Sequence, residues 1–194
     1  MYTYIGKKIP AYVVITTALS ASSMALANVC DHIQSYIGGD LSYSKYRYTS
    51  DFKDAAGGGL RTKTPGLGII GGIRYDENFG AEVGYTIFRE IKNNAPRVNN
   101  KLKSRNTHLD LLGYVPIATQ VELVGSVGLG HMRTLGKLSR TGVRLGAGAQ
   151  YNLDNNWSLR AMARYQKIGS KTKDSNLGLF KNISSANFSV SYLL

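Results

Sequence analysis

Apolar residues alternate with small or polar ones along most of the chain beyond residue 35, and the alternation is clearest over residues 141–166. Val143, Leu145, Ala147, Ala149, Tyr151 and Leu153 share one phase there, against Arg144, Gly146, Gly148 and Gln150. After Asp154-Asn155-Asn156 the phase resumes with Trp157, Leu159, Ala161, Ala163 and Tyr165, against Ser158, Arg160, Met162, Arg164 and Gln166. A period of two around an Asn/Asp turn predicts a β-hairpin. A helix would need its apolar residues at i, i+3, i+4 and i+7, and that set mixes Leu145 with Gly148 and Ala149. The strands exceed the ~5–6 residues usual in a soluble sheet. They match the ~9–11 residues of a tilted membrane-spanning strand.

The same pattern predicts strands over 36–48, 66–75, 79–88, 106–115, 121–132 and 183–194, which with the hairpin makes eight. Tight turns at 76–78, 116–120 and 154–156 alternate with long polar segments at 49–65, 89–105, 133–140 and 167–182. Short turns at one end and long loops at the other are the outer-membrane pattern. The expected fold is all-β: an eight-stranded antiparallel up-and-down transmembrane barrel with both chain ends on the periplasmic side.

Charge decides which face is inside. Asp40, Arg74, Glu82, Asp110, Glu122, Arg144, Arg160 and Arg164 all lie on the phase opposite the apolar one, four acids against four bases. Most of the remaining positions on that phase are Gly or Ser, including Gly72, Gly84, Gly128 and Ser126. An eight-stranded barrel is just wide enough inside for side chains, so long charged chains need small neighbours. The polar face is therefore expected inside as a compensated charge network, with Glu82 in salt-bridge reach of Arg144, Arg160 or Arg164. The apolar face meets lipid. Tyr75, Phe79, Tyr151, Trp157 and Tyr192 near the turns, and Tyr43, Tyr85 and Tyr165 near the loops, would form the two aromatic girdles.

The amino-terminal stretch follows a different rule. Lys7-Lys8, an apolar run over 9–19 and Ala25-Leu26-Ala27 read as a secretory signal peptide over 1–27, leaving 28–194 as the barrel domain. Cys30 is the single cysteine, without a small residue directly before it, and is read as incidental. Removing 1–27 takes away two lysines and no acid, so the formal charge falls from +12 to +10. The long segments 49–65, 89–105, 133–140 and 167–182 hold sixteen basic and four acidic residues, so the positive charge gathers at one end. In the outer membrane of a Gram-negative bacterium that end would meet lipopolysaccharide phosphates. Arg97, Lys101, Lys103 and Arg105 are the expected centre of a lipopolysaccharide or polyanion site.

Phe188, Val190, Tyr192 and Leu194 alternate up to the last residue. Together with 82–88 (EVGYTIF), 109–116 (LDLLGYVP), 125–133 (GSVGLGHMR) and the hairpin, the chain resembles the small outer-membrane β-barrel family that includes the barrel of outer-membrane protein A and the opacity-type surface proteins. The resemblance implies that these four residues signal to the outer-membrane assembly machinery, with Leu194 standing where that signal usually has Phe. It also implies a monomer acting in envelope integrity and surface contact, and adhesion to host polyanions.

Other chemistry finds little support. Residues 66–71 match G-x-G-x-x-G, but they lie within a strand and not between a strand and a helix, so neither a nucleotide nor nucleic acid is expected. His32, His108 and His131 share no metal-ligand spacing, His108 and Asp110 have no marked serine beside them, and neither cofactor nor enzyme activity is expected. The alternatives are a small pore-forming barrel, or a soluble periplasmic lipid-binding β-barrel with its faces reversed.

Overall fold

A computed structural model describes residues 33–48, 62–91, 102–134, 138–168 and 180–194. The signal peptide, Cys30, Arg97 and Lys101 fall outside them. Eight strands run in order: β1 (Gln34–Tyr48), β2 (Lys63–Arg74), β3 (Phe79–Ile91), β4 (Leu102–Ala118), β5 (Val121–Thr134), β6 (Leu138–Asn152), β7 (Trp157–Ile168) and β8 (Phe180–Leu193). Each pairs antiparallel with its chain neighbour, and β8 pairs with β1, which closes the barrel and leaves no strand edge.

The turns form where the sequence supplies their chemistry. Asp76 Oδ1 accepts hydrogen bonds from the backbone N–H of Asn78 and of Phe79, both at 2.7 Å. Asp154 does the same for Asn156 at 2.8 Å and Trp157 at 2.7 Å. These side-chain bonds stand in for backbone turns and fix the register of both hairpins. The turn after β4 corrects the expected boundary: β4 continues to Ala118, with a register shift between Pro116 and Ala118. Proline lacks the N–H for a regular ladder, and a bulge absorbs it. At the other end most strands outrun their expected limits. Lys63, Thr64, Ser104, Arg105, Arg133, Thr134, Ser139, Arg140 and Lys167 are strand residues, not loop residues. Polar side chains on both faces had hidden these extensions.

The apolar phase faces out. Leu67, Ile69, Val83, Leu109, Leu111, Val127, Leu145 and Phe188 are all exposed, as are the girdle residues Tyr43, Tyr75, Phe79, Tyr151, Trp157, Tyr165 and Tyr192; Tyr85 is half-buried. A soluble carrier needs the reverse arrangement, so that alternative is overturned. The lumen corrects a second expectation, because it is not uniformly polar. Tyr36, Ile70, Leu112, Tyr114, Val124 and Met162 form a buried apolar cluster, and Tyr46, Phe88, Met132, Ile168 and Ile183 are buried at the loop end. These residues occupy lumen-facing positions, where burial against other side chains removes apolar area from water as a core does.

Candidate functional site

The eight charged residues of the polar phase all point into the lumen. Glu82 is fully buried and lies at the centre of the network. Its Oε2 accepts from Arg160 at 2.6 Å and from the Tyr36 hydroxyl at 2.9 Å, and its Oε1 accepts from Arg164 at 3.0 Å. Asp110 lies beside Glu82 on β4, with Arg144 Nε at 3.2 Å and Arg164 at 3.9 Å. Asp40 accepts from Asn187 at 2.8 Å. Arg160 also donates to Gln150 at 3.0 Å. Nearer the turns Arg74 donates to both Glu122 oxygens, at 3.1 and 2.9 Å, and its guanidinium stands 4.3 Å from the centre of the Tyr114 ring. Charge-assisted pairs of this kind are what make buried ions tolerable.

Small residues make room for these chains. A Cβ at Gly72 would fall 2.5 Å from the Tyr36 ring, and one at Gly84 would collide with the His108 imidazole. The sequence pattern singled out neither Tyr36 nor the amides Asn106, Gln150, Gln166 and Asn187. Their only signal was a place on the charged phase.

His108, Glu82 and Asp110 bring ligand-type atoms within 4.8 Å of one another, and both ring nitrogens of His108 are buried without a protein partner. Arg144, Arg160 and Arg164 already balance the adjacent carboxylates. With two carboxylates against three arginines the buried set is already net positive, so a divalent ion would add uncompensated charge. The arrangement suits structural cross-bracing better than catalysis or metal binding. A cavity of about 400 Å³ opens among the turns, lined by Gln34, Tyr36, Arg74, Tyr114, Gln150 and Arg160 among others.

At the loop end the expected basic centre divides. Arg97 and Lys101 lie outside the described residues, and Lys103 lies within β4. Arg105 is exposed on the outer wall of β4, and its cross-strand partner is Arg133. Lys45, Arg47, Lys63, Arg89, Arg133 and Lys167, which the sequence reading did not single out, are also exposed toward the outside. Among the residues whose side chains the structure describes, no carboxylate faces outward on this half of the barrel.

The family model for the outer membrane protein beta-barrel domain matches residues 13–193. The chain belongs to that family. Its fold is shared by solved outer-membrane barrels of low sequence identity. Neisserial surface protein A is 19% identical with a TM-score of 0.59, over 82% of this chain and 96% of that one. The amino-terminal barrel domain of OprF from Pseudomonas aeruginosa is 15% identical with a TM-score of 0.55, over 84% and 100%. Ail, the attachment invasion locus protein of Yersinia pestis, solved with the heparin analogue sucrose octasulfate, is 16% identical with a TM-score of 0.50, over 84% and 99%. No curated protein matches the chain. The outer-membrane barrel therefore lies in the outer membrane of a Gram-negative bacterium, with its apolar wall in lipid and its basic end away from the short turns.

Proposed function

We propose that this chain is a monomeric, non-enzymatic barrel serving envelope integrity and surface contact, whose basic end engages anions: lipopolysaccharide, and polyanions presented by a host. The observation that carries this reading is the outward basic rim, Lys45, Arg47, Lys63, Arg89, Arg105, Arg133 and Lys167, unopposed by outward carboxylates among the residues whose side chains the structure describes. Basic side chains at that level bridge phosphate groups by charge-assisted hydrogen bonds. Ail binds a heparin analogue; that is a property of Ail, and it supports the choice of a sulfated glycan as a probe here.

A pore fits less well. The central ion pairs span the lumen, and near the loop end the Tyr46 and Phe88 rings meet edge to face with centroids 5.8 Å apart. The carboxy-terminal residues Phe188, Val190, Tyr192 and Leu194 fit an assembly signal for the outer-membrane machinery, because they present one alternating outward face.

The experiment measures binding of the refolded protein to heparin and to lipopolysaccharide across a salt series. Replacing Arg97, Lys101, Lys103 and Arg105 with Gln should weaken binding and flatten the salt dependence while the barrel still folds. Absence of wild-type binding to either ligand at low salt would overturn the reading.

A further inference from the structure

The outer wall of β4, β5 and β6 changes character in ordered rows. Cross-strand partners Leu111, Val127 and Leu145 form one row, and Leu109, Leu129 and Val143 the next. Both rows are apolar and exposed. One step toward the loops the partners are Thr107, His131 and Thr141, and one further step they are Arg105, Arg133 and Ser139. All six are outward-facing and exposed, and His131 Nδ1 lies 2.9 Å from Thr141 Oγ1.

Placing two arginines directly opposite each other is unfavourable. Cross-strand Cβ atoms lie about 5 Å apart, and like charges there destabilise a sheet. Among the residues whose side chains the structure describes, no carboxylate reaches either guanidinium. We propose that this wall is a seat for a phosphate group of an outer-leaflet glycolipid, held between Arg105 and Arg133 with Thr107, His131, Thr141 and Ser139 as further polar partners. The inference deepens the anion-binding reading and rests on it.

Two features favour a lipid headgroup over a soluble polymer. The arginines sit four residues beyond the last apolar row, about 13 Å along a strand. At a tilt near 45° that is roughly 10 Å in height, the level of the headgroups above the hydrocarbon. Their side chains also leave the barrel sideways, so an occupant lies along the wall with its acyl chains against Leu109, Leu129 and Val143. A second outward cationic pair, Lys45 with Lys63, has Tyr43 and Pro65 in the row beneath it in place of two threonines and a histidine. That pair makes a control with the same charge change.

The test uses the barrel in phosphatidylcholine nanodiscs, with lipid A and dephosphorylated lipid A as probes and native mass spectrometry as the readout. Wild type should retain phosphorylated lipid A selectively. Arg105→Gln/Arg133→Gln should lower its retention by about tenfold or more, the loss of roughly one good ionic contact. Lys45→Gln/Lys63→Gln should change it much less. Heat-modifiable gel mobility checks that both variants fold. Equal losses in the two variants, or none in the arginine pair, would overturn the seat while leaving the broader reading standing. If wild type shows no preference for phosphorylated lipid A, the seat fails; if it also fails to bind heparin, the broader anion-binding reading fails with it.

Discussion

Removing the Glu82 carboxylate should be the most damaging single change in the lumen. Three donors converge on it: Arg160 at 2.6 Å, Arg164 at 3.0 Å and Tyr36 at 2.9 Å. Each hydrogen bond to a charged group contributes about 1.5–3 kcal/mol. Glu82→Gln keeps one acceptor oxygen, and Arg164 can turn to Asp110, which already lies 3.9 Å away. Arg160 loses its carboxylate and keeps only uncharged partners, Gln150, the Tyr36 ring and the amide oxygen of the new side chain. Breaking a buried pair by removing one partner costs about 3–5 kcal/mol, and that range is expected here, a change of more than about a hundredfold in the folding equilibrium. Arg164→Gln should cost less, because Glu82 keeps Arg160 and Tyr36. The assay is urea unfolding in lipid vesicles, followed by the fluorescence of Trp157, the chain's single tryptophan. A loss below about 1 kcal/mol for Glu82→Gln, or a larger one for Arg164→Gln, would refute the reasoning.

Glu122→Gln should cost less than Glu82→Gln in the same assay, because Arg74 also donates to the Asp76 and Glu77 carbonyls and keeps one acceptor oxygen at residue 122. Gly84→Val should abolish folded, heat-modifiable protein, because a side chain there meets the His108 ring packed between strands. Leu194→Phe should preserve or raise the yield inserted into the outer membrane. Tyr192→Asp should lower it, since that outward side chain packs on Trp157 with ring centroids 5.0 Å apart; equal yields of the two variants would count against β8 as an assembly signal.

The fold was legible because a barrel in lipid uses one rule eight times. A period of two sorted Leu109 from Asp110 and Leu145 from Arg144 without any knowledge of partners. The central pairing was half legible: phase alone put Glu82 and Arg160 on one side. It could not bring them together, because they are 78 residues apart in sequence and meet through the shear of a closed barrel. The apolar lumen residues Leu112, Val124 and Met162 were on the right phase, but charge drew attention away from them. Strand ends were the weakest part. Arg105 and Arg133 look like loop residues by composition, and only the register reveals an opposed pair on the wall. The same limit applied to His108, whose approach to Glu82 depends on β3 pairing with β4.

The account stands or falls on the apolar phase facing lipid. Its most direct test places single cysteines at successive positions 123–128 of β5, in a Cys30→Ser background, and attaches a nitroxide to each in vesicles. Accessibility to lipid-dissolved oxygen should alternate with a period of two, highest at Leu123, Gly125 and Val127 and lowest at Val124, Ser126 and Gly128. Maxima at the even positions, or no alternation, would contradict the account.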